Sequence, residues 1–563
     1  MRLFRLQGIA LAFAIALTLG LLITTQPPSA YCQQTTASMV GTVTDASGAA
    51  VPDATVTLVN TATGAKYTAT TNAIGFFRFA DIPPGPGYTA TFKAKGFAVY
   101  QVNSIYLTIN SIRTQNATLA IGAQVSTVEV TAANSEVTID TTSASVGNTF
   151  DAQQLNNLPV QQRNDPLALF AMQPGATDTG AVTGARVDQN FVTLDGLDVN
   201  DFATGGASQG NANAGVTSQL GTIVGHAPVD SVEEFKGDVA GNDASTGLGS
   251  GGQFALVTRS GTNKFHGDLN EYHRDASLVA NPWFSNNAAP VVPRAHYIQN
   301  QFGGDIGGPV KHDKLFFYFD FNDSKIINNV VQNRVVPTAA LRAGSVTYCT
   351  DPACDTTNSK TISQVTAFDP AGIGVDQNWL KFINSRFPLP NQSTGGDGLN
   401  SLGYVFTAPN NDNETNYVAR GDWTINDQMK FFAKFTITRE DAVNQPNAFP
   451  GDPSTSPFTD RSYDFVIGHD WVISPTKTNH VFLGDVVQKV AFPIEYNPTG
   501  TTAFTFGDGA DQALTSNPYI WPGANARRIP IAQLGDSFTM IAGRHTLQIG
   551  GRIEDILAHN TTV

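Results

Sequence analysis

The sequence predicts a mostly-β fold in three successive β-rich zones, and three observations predict it. Short segments alternating apolar and polar residues recur along the chain, separated by Gly, Pro, Asn and Asp turn signals. Beyond the first 23 residues no apolar run is long enough for a membrane helix, so any membrane role must use strands. Charged residues make up only 14% of the 563 residues while the hydrophobic fraction is 41%, a composition filled out by Thr, Asn, Ser, Gln and Gly that argues against disorder and coiled coil. The net charge of −14, with no Lys/Arg cluster, argues against nucleic acid as a partner, because phosphates need basic surface. Length alone suggests roughly three or four domains.

The N-terminus reads as an export address. Arg2 and Arg5 precede an apolar run from Gly8 to Ile23, and Pro27-Pro28-Ser29-Ala30-Tyr31-Cys32 breaks it, so residues 1–32 are expected to be a signal peptide cleaved near Ala30 or Cys32. The run is shorter than the roughly 20 residues a membrane anchor needs. Cys349 and Cys354 flank a polar, Pro-containing segment, and an oxidising compartment would let them form a local disulfide. Half a zinc site is the rival reading, and it lacks a second Cys pair or a nearby His.

Residues 33–122 carry short strand candidates: Val40–Thr44, Ala54–Val59, Tyr67–Thr70, Phe76–Phe79 and Tyr88–Phe92, parted by turns such as Asp45-Ala46-Ser47-Gly48 and Pro83-Pro84-Gly85. That density implies a β-sandwich of under about 100 residues. The run Gly41-Thr42-Val43-Thr44-Asp45, Val51-Pro52-Asp53-Ala54, Asn72-Ala73-Ile74-Gly75-Phe76, Ile82-Pro83-Pro84-Gly85 and Lys95-Gly96-Phe97 resembles the carboxypeptidase-regulatory-like domain. The resemblance implies a non-catalytic, prealbumin-like sandwich with a carbohydrate-binding-like fold.

Residues 123–263 change texture. Val125–Val130 alternates as a strand, Leu155–Val160 leads into a short helical pattern over Pro166–Met172, and there follow Asn190–Asp198, Val229–Phe235 and the run Gly249–Asn263. In this order the motifs resemble the α+β plug domain of TonB-dependent outer-membrane receptors, in particular the Oar-like branch that also carries the N-terminal sandwich. Residues 264–563 then alternate as outer-membrane strands do, one face to lipid and one to the lumen. Phe317, Phe319 and Phe321 oppose Tyr318, Asp320 and Asn322; Phe431, Ala433, Phe435 and Ile437 oppose Lys430, Lys434, Thr436 and Thr438; Leu547, Ile549, Gly551 and Ile553 oppose Thr546, Gln548, Arg552 and Glu554. Gln301-Phe302-Gly303-Gly304 with Gly307-Gly308-Pro309 resembles a signature of Oar-like barrels, and the polar stretch from Ser324 to Asn416 suits an extracellular loop.

Several constellations tempt toward other chemistry. Gly247, Gly249 and Gly252 satisfy a dinucleotide-site spacing, but the expected strand Gln253–Thr258 stands where a helix is needed. Asp195, Asp198 and Asp201 could ligate Ca²⁺, yet the matching Glu is missing and Asp195-Gly196 suits a tight turn. Arg420-Gly421-Asp422 copies an adhesion tripeptide on an expected strand. No His-Glu-x-x-His or Gly-x-Ser-x-Gly motif is present, so no enzyme activity and no cofactor is expected.

The expected architecture is therefore mostly β: a prealbumin-like sandwich, an α+β plug and a partial transmembrane antiparallel β-barrel. What the resemblance implies is a receptor in the outer membrane of a Gram-negative bacterium, in contact with its lipid and with the sandwich in the periplasm. It would take up a small-molecule, saccharide or peptide ligand, driven by the inner-membrane TonB energy-coupling complex. No clear TonB box stands between Gln33 and Ser38 or after Leu119, so that coupling rests on the resemblance alone. The alternative is a non-transporting adhesin or surface carbohydrate-binding protein. Nine wall strands are expected, near 264–273, 297–307, 313–323, 416–424, 428–438, 462–472, 478–490, 534–543 and 545–556. That is an odd number and fewer than half of the roughly 22 in a plugged transporter. With no terminal aromatic after Asn560-Thr561-Thr562, the chain is expected to be a fragment of a longer reading frame or a truncated product that misassembles.

Overall fold

The computed structural model describes residues 36–122, 128–131, 144–160, 163–164, 166–177, 181–186, 189–201, 223–225, 227–241, 249–281, 283–286, 294–354, 357–361, 370–452, 456–493, 525–542 and 545–562. The export segment with Cys32, the first part of the strand expected at Val125–Val130, and Gly247 lie outside them.

The first unit is a two-sheet sandwich. Its strands are β1 Ala37–Asp45, β2 Thr55–Asn60, β3 Lys66–Thr70, β4 Phe76–Ile82, β5 Gly85–Lys93, β6 Tyr100–Leu107, β7 Ile112–Thr114, β8 Ala117–Leu119 and β9 Val128–Thr131. One sheet runs β4-β1-β7 with β8 also on β1, and the other runs β3-β2-β5-β6-β9. Period-two alternation puts Met39, Val43, Val56, Leu58, Phe77 and Phe92 between the sheets, where Phe77 and Phe92 meet edge to face at 5.5 Å.

The second unit begins with β10 Val146–Asp151, whose last residue caps a one-and-a-half-turn helix, α1 Ala152–Asn157. Asp151 accepts from the Gln154 amide at 2.7 Å and Gln154 reaches back to the Asp151 amide at 3.1 Å, a capping box. This helix precedes the expected Pro166–Met172 pattern, which forms only a 3₁₀ turn over Pro166–Leu169. The remaining strands are β11 Phe191–Leu194, β12 Leu197–Asp198, β13 Val232–Ala240 and β14 Gln253–Thr258, ordered β10-β13-β14-β11-β12. One face of this sheet buries Phe235, Phe254 and Leu256 with Phe170, and Phe170 stacks on Phe254 at 3.8 Å.

The third unit is one antiparallel sheet of 12 strands. In chain order these are β15 His266–Asp275, β16 Tyr297–Lys311, β17 Leu315–Pro337, then, after a separate hairpin of β18 Ser345–Cys349 and β19 Thr357–Thr361, β20 Ser401–Pro409, β21 Asp412–Asn426, β22 Met429–Gln445, β23 Ser456–Asp460, β24 Tyr463–Ser474, β25 Lys477–Phe492, β26 Asn525–Ala542, β27 His545–Ile556 and β28 His559–Thr562. The nine expected strands are present, and β20, β23 and β28 are additional. Those three are short or Pro- and Thr-bearing strands whose alternation is too brief to stand out; each extends a long neighbour, β20 on β17, β23 between β22 and β25, β28 on β26. The stretch from Ser324 to Asn416 is correspondingly not a plain loop: β17 continues through it to Pro337, and it also holds β18, β19, β20 and a helix, α2 Gln377–Arg386. Val336, Ile383, Phe387 and Phe449 form a small core there, tied by a bidentate Arg386–Asp452 pair at 2.7 and 2.8 Å. The Cys349 and Cys354 sulfurs are bonded across a tight turn, with Cα atoms 4.8 Å apart.

Connections at one end of the large sheet are two or three residues long, at 312–314, 427–428 and 475–476, whereas the other end carries, among the described residues, 276–281, 283–286, 294–296, 338–354, 357–361, 370–400 and 446–452. Short turns on one side and long loops on the other are the pattern of outer-membrane barrels, with the short turns periplasmic. No helix of the described residues is long and apolar enough to cross a membrane.

Candidate functional site: the plug–wall interface

The large sheet is inside-out relative to a soluble protein. Phe319, Phe435, Leu483, Ile549 and Ile553 point outward at 41 to 69% exposure, while Tyr318, Asp320, Asn322, Lys434, Thr436, Thr438 and Gln533, on the opposite face, are buried. An apolar face in contact with water would cost about 25 cal/mol per Å² of exposed surface, so this face belongs against hydrocarbon. Trp423, Phe431 and Trp471 cluster beside the short turns, where aromatic side chains mark the lipid boundary.

What buries the polar face is the second unit. Its β11 and β12 form a hairpin through Asp195 and Gly196, with φ of 48° and 90°, and Leu194 pairs with Leu197. Positive φ at both loop positions is a type I′ turn, for which Asp-Gly is a preferred pair. The tip enters the concavity of the wall. Leu197 fits against Gly484 of β25, where an added Cβ would lie 2.6 Å from the leucine Cδ2 and 2.5 Å from the Phe465 carbonyl oxygen. Val199 and Ile223 of the same unit join Val466, Phe482, Val486, Ile529 and Ile531 of the wall in one core.

Around this apolar contact stands a ring of polar anchors. Arg420 donates to Asp195 at 2.9 Å and to Asp422 at 3.0 and 3.1 Å. Lys434 lies 3.8 Å from Asp195 and pairs with Asp464. Gln533 brackets Asp198, accepting from its amide at 2.8 Å and donating to its carbonyl at 2.7 Å, while Arg527 holds Asp201 at 2.8 Å and Arg552 donates to the Gly196 carbonyl. A second group sits nearer β15 and β16. Arg163 pairs with Asp230 at 2.5 Å, the Arg163 amide donates to Gln301 at 3.1 Å, and Arg259 meets Asp305 at 3.2 Å. Burial pushes the Asp198 carboxyl up, and hydrogen bonds from Asn200 pull it back.

These contacts reassign two sequence motifs. Of the Ca²⁺ candidates, Asp195 and Asp201 have their carboxylates held by wall arginines, the Asp198 carboxylate accepts from Asn200 while Gln533 holds its backbone, and among the described residues no group of three or more His, Cys, Asp or Glu is arranged to hold a metal ion. Arg420 and Asp422 of the adhesion-like tripeptide both point inward from β21, so that motif faces the second unit. The wall cations Arg527 and Arg552 had no sequence signal beyond their inward parity on β26 and β27. The strand at Gln253–Thr258 has the expected bounds and excludes the dinucleotide-site geometry.

A family model described as outer membrane beta barrel domain matches residues 257–562. The chain belongs to this family. The carboxypeptidase regulatory-like domain model matches residues 38–120, the sandwich. Over 309 residues the chain is 28% identical to the TonB-dependent transporter Oar of Myxococcus xanthus, a match covering 53% of this chain and 27% of that protein. The chain thus spans about a quarter of the length of this curated relative. Similar solved structures include the outer membrane transporter YddB of Escherichia coli, at 10% identity, 73% of this chain, 48% of that chain and a TM-score of 0.43. The ferric enterobactin receptor PfeA of Pseudomonas aeruginosa matches at 11% identity over 74% of this chain and 55% of that chain, with a TM-score of 0.35.

Proposed function

We propose that the chain is the gated portion of an energised outer-membrane receptor, in which the β10–β14 unit plugs a barrel whose wall is contributed by β15–β28. The observation that carries this reading is the apolar-out, polar-in wall wrapped around a separate unit that meets it through one apolar patch ringed by ion pairs and side-chain hydrogen bonds. A permanently sealed core would be expected to bury mainly apolar surface, because buried ion pairs add little net stability relative to well-packed hydrophobic residues. Polar anchors such as Arg420–Asp195 and Arg527–Asp201 can exchange protein partners for water as the plug shifts, so the plug can both seal and move. The Oar likeness supports coupling to an inner-membrane TonB complex driven by proton-motive force. The ligand is a small molecule, saccharide or peptide that enters from the long-loop side, and no covalent chemistry is asked of the chain. We also propose that the Cys349–Cys354 bond is made on export, in the loop region facing outside. Uptake of a candidate ligand by cells carrying the protein, measured with and without a protonophore, tests the transport reading: uptake that continues unchanged after the proton-motive force collapses would defeat it.

A further inference from the structure

The sandwich is not a free appendage. The face of the plug sheet opposite its core presents Glu234, Lys236, Ala255 and Val257, and the sandwich covers it: Ile109 closes a small apolar cluster with Ala255 and Val257. The Ile109 amide donates to Glu234 Oε2 at 3.0 Å, and Lys236 Nζ donates to the Asn110 carbonyl at 2.8 Å. The same sandwich also grips the wall at its short-turn end. Asp81 accepts from Thr478 at the start of β25, Lys430 at the start of β22 stands 3.4 Å over the Tyr67 ring, and the Asn263 amide ahead of β15 donates to the Ala62 carbonyl at 2.8 Å. Plug and wall are therefore bridged at the short-turn end by one folded unit.

The seat is incomplete in an informative way. A cleft of about 600 Å³ with a mixed lining, Asn60, Pro84, Ala152, Asn156, Arg259 and His266 among others, runs between sandwich and plug. A second cavity of about 60 Å³ lies where all three units meet, bordered by Thr36, Glu233, Arg420 and His480. Glu234 Oε1 is buried and has no hydrogen-bond partner among the described residues. A contact made of few apolar atoms and several single hydrogen bonds, with an unfilled cleft beside it, is of the kind that domains make when they separate in function.

We propose that the sandwich is a periplasmic latch: docked across β13–β14 and the turn end of β22 and β25, it holds the plug in the wall, and it must lift before the plug can move. This inference rests on reading the plug as a movable gate. It assigns a role to the sandwich that needs no ligand, and it makes the β13–β14 outer face an interaction surface for the chain's own first unit. Burial raises the Glu234 carboxyl to about 8, so in the docked state it is mainly neutral at pH 7 and can accept from Ile109 without leaving a charge under the sandwich.

The test uses the full chain recovered in the outer-membrane fraction. Amide exchange is followed separately in the sandwich strands β2 and β5 and in the plug strands β11–β14. Glu234→Arg places a charge under Ile109 and is expected to speed exchange in the plug strands at least tenfold while leaving β2 and β5 protected. Labelling of Ala255→Cys in the same background reports whether the sandwich has lifted. A labelled cysteine with plug exchange unchanged would overturn the latch. Should Glu234→Arg also unprotect β2 and β5, the pair Asp81→Cys with Thr478→Cys decides. Oxidised, it is expected to slow plug exchange several-fold and to stop uptake; no change in plug exchange overturns the proposal. Uptake that is undiminished in the cross-linked protein sinks the latch and leaves the transport reading standing. Slowed exchange on cross-linking, in a protein whose uptake never depended on proton-motive force, sinks the transport reading and leaves the latch standing.

Discussion

Replacing Glu234 by Gln should remove a pH dependence that the native carboxyl builds into sandwich docking. Burial beneath Ile109 raises this group from its ordinary 4.5 to about 8, against the lowering effect of the Ile109 amide. Glu233 and Asp151 push it further up and Lys236 pulls it down. Once the sandwich lifts, the side chain meets water and returns toward 4.5. An acid raised in the docked state contributes stability that is fully present below the undocked value and is lost as pH rises through the docked one. Docking should therefore be tightest below about pH 4.5, weaken between there and about pH 8, and level off above. With values near 4.5 and 8, linkage gives a loss on the order of 2–3 kcal/mol between pH 5 and pH 7, tens-of-fold in the docking equilibrium. Glutamine has the shape of the neutral acid and keeps an acceptor for Ile109, so Glu234→Gln should stay docked and show a flat profile. The assay is the labelling rate of Ala255→Cys, which Ile109 covers, normalised to an exposed control cysteine across pH 5 to 8. An equal slope in wild type and Glu234→Gln, or docking that strengthens with pH, would refute the reasoning.

Further outcomes follow from the interface. Arg420→Ala leaves the buried carboxylate of Asp195 with Lys434 at 3.8 Å and hydrogen bonds from Thr258, so it should cost about 1.5–3 kcal/mol, read as a lower unfolding midpoint of the second unit; adding Asp195→Asn should return part of it, and strict additivity of the two would argue against direct pairing. Gly484→Val drives a side chain into Leu197 and the Phe465 carbonyl, an overpacking of about 1–3 kcal/mol, and should raise exchange in β11–β12 selectively; unaltered protection there would show that the hairpin does not seat on β25. Residues 33–131, which take in β9 beyond the boundary expected at 122, should unfold cooperatively when expressed alone, since Met39, Leu58, Phe77 and Phe92 bury one another within the sandwich; a non-cooperative melt counts against that boundary. Mass spectrometry of exported protein should find no free thiol at Cys349 or Cys354, and recovery of both thiols would rule out the bond.

The sequence by itself determined what is local. Period-two alternation marked the nine long wall strands and told which parity is apolar: Phe317, Phe319 and Phe321 on one face, Tyr318, Asp320 and Asn322 on the other. Asp195-Gly196 announced a tight turn because few residue pairs accept positive φ twice in succession. The short strands β20, β23 and β28 escaped, since a few alternating residues beside Pro and Thr do not separate strand from loop, and their pairing with β17, β22, β25 and β26 supplies what local pattern does not. Only the tertiary structure decided what the inward polar residues do. Arg420 is 225 residues from Asp195 and Asp81 is 397 from Thr478, separations over which no spacing rule operates. Alternation fixes that such a side chain faces the lumen, but its partner depends on which plug hairpin fills that lumen and on where the sandwich docks. The same physics explains why the three aspartates read equally well as cation ligands: buried carboxylates require compensating charge or hydrogen-bond donors, and only the fold shows that Arg420 and Lys434 of the wall pair Asp195, Arg527 pairs Asp201, and Asn200 donates to Asp198.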